Sequence, residues 1–262
     1  MIFIRGIAGW LLFAMIASIL CVSAAEIPQA ERRSGATFMS VDTQAMQNED
    51  TANPGMLWVL DGEALWKAKA GTADRACADC HGDVQISMRG VAARYPAFDA
   101  TLGKPVDLEQ RVNLCRIRHQ QAQPFANESR GLLALTALIG RQSRGLPIES
   151  GNDPRLDPFI SKGREIFMRR QGQLNLACAN CHDDNWDKHL AGSAITQAHP
   201  TGYPLYRLEW QSLGSLQRRL RNCMVGMRAQ PYDADAPETV ELKLYLMSRA
   251  RGMAVETPAV RP

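Results

Sequence analysis

The stretch CADCH, residues 77–81, returns later in the chain as CANCH at residues 178–182. Both have the pattern C-x-x-C-H, which is the attachment signature of c-type haem. Two thiols three positions apart can each bond one vinyl group of a haem, and the adjacent histidine can then ligate the iron. For a single copy, a thioredoxin-like redox pair or part of a zinc site would be an alternative. Because both copies carry the histidine, we predict two covalently attached haem c groups. The predicted attachment cysteines and axial histidines are Cys77, Cys80, His81, Cys178, Cys181 and His182.

The segments that lead into the two motifs are also repeated. The motifs are 101 positions apart (178 − 77), and at this offset Gly62 aligns with Gly163 within two amphipathic stretches. Self-similarity at a fixed offset is the signature of a duplicated unit. We therefore predict a mainly α-helical protein of two duplicated cytochrome-c-like domains, each with one covalently bound haem.

The repeat continues beyond the haem motifs. NLCRIRHQQAQPF at 113–125 resembles RNCMVGMRAQPY at 221–232, and Cys115 aligns with Cys223. The segment LPIESGNDPRLDP at 146–158 is rich in turn-forming residues and indicates a linker. The predicted divisions are a signal peptide at 1–25, an N-terminal extension at 26–56, and the cytochrome-c-like domains at 57–150 and 151–262.

The N-terminus has the pattern of a secretory signal peptide. Arg5 precedes an apolar run, and the small residues of SAA at 23–25 precede Glu26. An uncleaved membrane anchor is the alternative. We expect cleavage after residue 25, a periplasmic location and no membrane span in the remaining chain. The formal net charge of +3 gives no reason to expect nucleic acid as a partner.

Each half has one cysteine beyond its haem pair, Cys115 and Cys223. A haem with an axial histidine on one side needs a second ligand if its iron is six-coordinate, and these cysteines are candidates. Four residues later the alignment places His119 against Met227, and His and Met are the commoner second ligands. A disulfide between Cys115 and Cys223 is a third alternative. Spacing alone does not decide among the three.

Several segments together resemble the SoxA family, the dihaem cytochrome subunits of the periplasmic sulfur-oxidising Sox system. They are FMSVDTQAMQNEDTANPGMLWVLDGEALW at 38–66, CADCHGD, CANCHDD and RRLRNCMVGMRAQPY at 218–232. The resemblance implies that Cys115 and Cys223 are the axial ligands of the first and second haem. It also implies that Cys223 is the catalytic sulfur, held as a persulfide-type intermediate, and that Arg219 binds substrate.

The same resemblance implies the activity and the partners. SoxA-like chains are the catalytic subunits of an L-cysteine S-thiosulfotransferase, and each pairs with the small monohaem cytochrome SoxX. The enzyme oxidatively joins thiosulfate to a cysteine of the carrier SoxYZ. Electrons then leave through the c-type haems to a downstream c-type cytochrome.

The residues around Cys223 suit this chemistry. Thiosulfate is a small dianion, and a guanidinium can offer two parallel donors to its oxygens. On a helix, Arg219 shares a face with Cys223, whereas Arg221 points elsewhere. We expect Arg218 and Arg221 to lie on a solvated face or near haem carboxylates. We also expect Arg219, one helical turn before the sulfur, to distinguish the second half from the first. The first haem is then structural or stores electrons.

Other functions are compatible with the haem motifs alone. A dihaem electron carrier would use the two extra cysteines only as ligands or as a disulfide. A dihaem peroxidase would need an open position at one iron. A tetrathionate-forming thiosulfate dehydrogenase could use the same thiolate ligand and arginines.

Overall fold

The computed structural model describes residues 27–262. The predicted signal peptide therefore lies outside the described residues. The described part of the chain is mainly helical, as expected. The α-helices are α1 Val41–Asn48, α2 Met56–Lys67, α3 Cys77–His81, α4 Val84–Ser87, α5 Leu108–Cys115, α6 Arg130–Arg141, α7 Asp157–Met168, α8 Cys178–His182, α9 Leu216–Gly226 and α10 Pro237–Arg249. Within residues 27–262, no helix is long and apolar enough to cross a membrane.

Short strands form three small sheets in the described part of the chain. Two are antiparallel hairpins. In the third, the central strand Leu205–Arg207 pairs antiparallel with Ser212–Gly214 and parallel with Ala259–Arg261. The strands are β1 Ala97–Asp99, β2 Lys104–Val106, β3 His189–Leu190, β4 Ser193–Ala194, β5 Leu205–Arg207, β6 Ser212–Gly214 and β7 Ala259–Arg261.

Each half is built on one tightly packed pair of helices, α2 against α6 and α7 against α10. The close approach depends on the repeated glycine of the first helix. A Cβ on Gly62 would lie 2.4 Å from the carbonyl oxygen of Ala134, and a Cβ on Gly163 would lie 2.1 Å from that of Glu241. Real Cβ atoms do not approach backbone oxygens so closely, so only glycine permits these crossings. The repeat predicted from sequence is thus a repeat of packing.

The segments that precede the two extra cysteines, Cys115 and Cys223, are also equivalent in structure. Hairpins β1–β2 and β5–β6 each follow a cis Tyr–Pro bond, at Tyr95–Pro96 and Tyr203–Pro204. Helix α5 is then capped by the side chain of Asp107, and α9 by that of Ser215. These caps satisfy backbone amides of the first turn and define where each cysteine-bearing helix begins.

A buried ion pair joins the two halves. The ammonium of Lys243 on α10 lies 2.7 Å from Asp107 and 2.9 Å from Glu109 at the start of α5. Although burial opposes it, the attraction of both carboxylates raises the pKa of Lys243. A charge this deep is tolerated because it has two partners.

The N-terminal extension contacts both halves. Asp50 forms ion pairs with Arg141, the last residue of α6, and with Arg144 just beyond it. Asn53 donates from its side-chain amide to the carbonyl oxygen of Pro258, 2.9 Å away, just before strand β7. The segment from Ser34 onward therefore lies against the body of the protein.

We expect Gly163→Ala to lower the free energy of unfolding by about 1–3 kcal/mol, because the new methyl group forces α7 away from α10. Thermal unfolding of the purified haem-loaded protein measures this change. The matched control is Gly226→Ala on α9, where a Cβ meets nothing within 4 Å. That variant should be as stable as the parent or slightly more stable. Equal stability of both variants would contradict the packing described here.

We expect Lys243→Met to destabilise the fold by about 3–5 kcal/mol, because it leaves two carboxylates buried without their cation. Denaturant unfolding measures the loss. Lys162→Met is the control, since Lys162 pairs with Glu241 but is 60% exposed, and its loss should cost less than about 1 kcal/mol. A similar cost for the two variants would show that the ion pair does not join the halves.

Candidate functional site

The two haem motifs form short helices with the same cap. In CADCH the carboxylate of Asp79 accepts a hydrogen bond from the backbone amide of Ala76, 2.8 Å away. In CANCH the side-chain oxygen of Asn180 accepts from the amide of Ala177 at 3.0 Å. The residue before the second cysteine of each motif thus closes the turn that presents both thiols. The sequence prediction assigned no role to these two residues.

The first motif borders a cavity of about 530 Å³, named here the first cavity. It brings together Cys77, Cys80 and His81 from α3 with Cys115 from the end of α5. Its walls are mostly apolar, and they are formed by residues that include Trp66, Met88, Val91, Leu108, Val112, Leu135 and Ile139. Burial raises the pKa of the Cys77 and Cys115 thiols.

These residues fit a c-type haem. The cavity has the size and apolar lining of a cofactor site, and paired thiols, a histidine and a further sulfur meet at it. His119 also lines it, because the chain continues from Cys115 into a π-helical turn at Arg116–Gln120. Geometry therefore leaves both candidates for the second ligand at the first cavity, and the assignment to Cys115 remains a prediction.

The second motif lies beside Cys223. Burial raises the pKa of Cys178 to about 12, and the nearby sulfur of Cys223 adds to this shift. Burial also raises the pKa of Cys181, again with a contribution from Cys223. The structure thus brings the predicted catalytic sulfur to the second cysteine pair. All cysteines between residues 27 and 262 are free, so the alternative disulfide is not formed.

The imidazole of His182 is fixed by a hydrogen bond. Its Nδ1 donates a hydrogen bond to the carbonyl oxygen of Thr196, 2.6 Å away. This bond leaves Nε2 as the nitrogen available to a metal. Burial lowers the pKa of His182, which favours the neutral imidazole that an iron requires.

A buried arginine next to the second motif was missed by the sequence prediction. The guanidinium of Arg249 lies 2.5 Å from Asp183, which directly follows His182, and 4.6 Å from the ring centre of Phe167. The repeat held a sign of this difference between the halves, because the residue after CANCH is Asp183, whereas the residue after CADCH is Gly82. The arginine holds the residue after the axial histidine in place.

Arg219 lines a further cavity of about 330 Å³, named here the second cavity. Tyr203, Arg207 and Arg261 line the same cavity, and so does Thr196, which binds His182. Among residues 27–262 no carboxylate pairs with Arg219. The second cavity is therefore cationic, and it is bordered by Arg219 of the helix that carries Cys223 and by Thr196, the hydrogen-bond partner of His182.

The neighbouring arginines of α9 have other surroundings. The guanidinium of Arg218 stacks 4.1 Å from the ring centre of Trp210 and reaches Ser212, whereas Arg221 is exposed. Neither lines the second cavity.

One expectation from the sequence was wrong. Arg219 does not by itself distinguish the second half, because Arg111 stands at the equivalent place, four residues before Cys115, and lines the first cavity. The two arginines share a position on their helices, so the difference between the sites must come from residues around them.

Comparison with known proteins agrees with the duplicated architecture. The model of the family described as "SoxA/TsdA, cytochrome c domain" matches two segments, residues 61–148 and 162–255. The chain is 39% identical over 231 residues to L-cysteine S-thiosulfotransferase subunit SoxA of Rhodovulum sulfidophilum, covering 88% of this chain and 80% of the relative. It is 37% identical over 235 residues to the same subunit of Pseudaminobacter salicylatoxidans, covering 89% and 82%.

The fold is also similar to a solved structure, the crystal structure of SoxXA from P. pantotrophus. The TM-score is 0.85 at 32% sequence identity, with 88% of this chain and 87% of that chain covered. The prediction of duplicated cytochrome c domains is therefore confirmed, and the chain belongs to the SoxA/TsdA cytochrome c family.

Proposed function

We propose that this chain is the catalytic subunit of an L-cysteine S-thiosulfotransferase that joins thiosulfate to a cysteine of a carrier protein. Curated relatives at up to 39% identity carry this name over most of their length. The observation that carries the proposal is the placement of Cys223 beside the second haem motif, with Arg219 one helical turn away and open to a cationic cavity.

The overall reaction sets what the site must provide. Thiosulfate, S₂O₃²⁻, and the carrier thiol, RSH, give RS–S–SO₃⁻, one proton and two electrons. An S–S bond forms between the carrier sulfur and the outer sulfur of thiosulfate, and both sulfurs are oxidised. The site therefore needs an anchor for a dianion, a sulfur that can take part in S–S chemistry, and an acceptor for electrons.

The side chains divide these tasks. Arg219 binds and orients the sulfonate oxygens of thiosulfate, because its guanidinium has no carboxylate partner in the described chain. Cys223 would be the catalytic sulfur, in a persulfide-type state, and would also be a ligand of the second haem iron when that haem is bound. The half-buried position of both residues limits access of water to the reacting sulfur.

The chain has residues for two c-type haems, which when bound would accept the electrons of this reaction. We propose that Cys77 and Cys80 hold the first, with His81 and Cys115 as axial ligands, in a domain at 57–150. Cys178 and Cys181 hold the second, with His182 and Cys223 as ligands, in a domain at 151–262. The duplicated motif with its repeated cap supports this count.

The partners follow from the relatives. The SoxXA structure supports pairing with the small monohaem cytochrome SoxX as a heterodimer. We further propose that SoxYZ is the carrier, that a c-type cytochrome takes the electrons, and that the enzyme works in the periplasm after removal of residues 1–25. The C-x-x-C-H motifs and the signal-like N-terminus support this exported location.

The decisive assay measures the mass of the carrier protein. The chain and its small cytochrome are incubated with thiosulfate and a carrier that has a reactive cysteine, and the carrier mass is then determined. We expect the carrier to gain the mass of a thiosulfate adduct. Cys223→Ser should abolish this gain, and Arg219→Gln should lower kcat/KM for thiosulfate by about 10- to 100-fold, the loss of a charge-assisted anchor.

Arg221→Gln is the matched control, since Arg221 is an exposed arginine of the same helix. Its kinetics should equal those of the parent. If the carrier mass is unchanged and tetrathionate accumulates in the medium, the activity is that of a thiosulfate dehydrogenase and not of the transferase. If thiosulfate does not reduce the haems at all, the chain is an electron carrier without substrate chemistry.

The haem count has its own test. The intact mass of the parent should exceed the polypeptide mass by two haems. Replacing Cys178 and Cys181 together with Ala should remove one haem and leave the absorption of the first. A parent carrying a single haem would contradict the count, and retention of two haems by the double variant would contradict the attachment residues.

A further inference from the structure

The two halves keep the same pair of residues around their extra cysteine but differ at a third. Tyr95 and Arg111 in the first half correspond to Tyr203 and Arg219 in the second, each pair 108 positions apart (203 − 95 and 219 − 111). Tyr95 and Arg111 line the first cavity, and Tyr203 and Arg219 line the second.

In the first half the arginine is neutralised. The guanidinium of Arg111 donates to Asp99 at 2.8 Å and to the hydroxyl of Tyr95 at 3.2 Å. The backbone amide of Leu102 and the charge of Arg111 hold the pKa of Asp99 below its ordinary value. Asp99 is buried and ionised, and although Arg118 also lies 4.0 Å from the same carboxylate, its closest cation is Arg111. The guanidinium of Arg111 is therefore paired within the protein and is less available to a ligand than an unpaired one.

In the second half the position of that carboxylate is taken by an arginine. Arg207 stands 108 positions after Asp99 (207 − 99) and occupies the same place in its hairpin. Asp99 is the last residue of β1 and pairs with the first residue of β2, and Arg207 is the last residue of β5 and pairs with the first residue of β6. The local pair of side chains therefore changes from one cation and one anion to two cations.

Arg207 has few partners for its charge. Its side chain is only 13% exposed, and its sole ion pair in the described chain is with Glu209, which is 65% exposed. Its buried Nε has no hydrogen-bond partner. Burial, and then the charge of Arg219, lower the pKa of Arg207. Two guanidinium groups in one sheltered cavity repel each other unless an anion lies between them.

The third arginine of the second cavity is already committed. Arg261 lies 2.6 Å from the carboxylate of Glu256 and also donates to the side chain of Gln47. Arg207 and Arg219 are thus the cations of this cavity that remain available to a bound anion.

We propose that Arg207 binds the substrate dianion together with Arg219, and that the change from Asp99 to Arg207 makes only the second of the two duplicated sites a thiosulfate site. This inference rests on the proposed function, because it takes thiosulfate as the anion. Two planar guanidinium groups match the paired charges and the several oxygens of an S–SO₃²⁻ group. The carboxylates of a haem have related chemistry, and the experiment separates the two ligands.

The test measures thiosulfate binding directly. The haem-loaded complex with the small cytochrome is titrated with thiosulfate by calorimetry, without a carrier, so that no turnover is needed. Arg207→Gln should raise the Kd about 10-fold or more, the loss of one charge-assisted contact. Arg207→Asp, which rebuilds the pairing of the first half, should raise it further, and Arg207→Lys should restore part of the affinity.

Arg221→Gln on the exposed face of α9 is the control and should keep the parent Kd. Haem content and the absorption spectrum of each variant report whether it has folded. An unchanged Kd in Arg207→Gln overturns the proposal, and if the reduction potential of the second haem shifts at the same time, Arg207 serves the haem carboxylates. A parent that does not bind thiosulfate overturns it as well.

The two proposals can fail separately. Binding that depends on Arg207, combined with no gain in carrier mass, would leave the anion site in place and remove the transferase function. Carrier modification that is unchanged when Arg207 is replaced would keep the transferase function and remove the role of Arg207 in anion binding.

Discussion

The close crossing of two helices in each half is the constraint on which the other features depend. Gly62 and Gly163 allow α2 and α7 to touch the backbone of α6 and α10. Each first helix leads into a C-x-x-C-H turn, and each second helix follows the segment with the extra cysteine. A larger residue at the crossing would separate the two parts of the site. The distance between each C-x-x-C-H motif and the opposing sulfur therefore depends on how closely these helices pack.

Duplication supplied two similar sites, and a few charged residues made them different. The first half pairs Arg111 with Asp99, while the second opposes Arg219 with Arg207. The second half also adds the buried pair of Arg249 and Asp183 next to its axial histidine. These changes leave the helical frame untouched, because they occur in side chains around the cavities. The same frame can thus carry one site in which the arginine before the extra cysteine is paired with a carboxylate and one site in which it shares a cavity with a second arginine.

Buried charge also holds the halves together. Lys243 from the second half is sealed between Asp107 and Glu109 of the first, at the start of the helix that ends in Cys115. Breaking such a contact would leave ions without solvent or partner, which is costly. The N-terminal extension adds Asp50 against α6 and lines the second cavity with residues near Met39. The position of the second cavity therefore depends on segments from both ends of the described chain.

The sequence by itself determined the C-x-x-C-H motifs, the duplication and the alignment of Cys115 with Cys223, because each depends on local spacing or on repetition along the chain. The equivalence of Arg111 and Arg219 is equally readable, since both lie four residues before a cysteine. Only the tertiary structure showed that Arg207 shares a cavity with Arg219, that Asp99 neutralises Arg111, and that Lys243 joins the halves. These pairs connect residues from about 12 to about 136 positions apart, and all three run between separate elements with no shared periodicity. Which distant side chains meet is decided by how the helices and hairpins pack, and packing is not encoded in any short stretch.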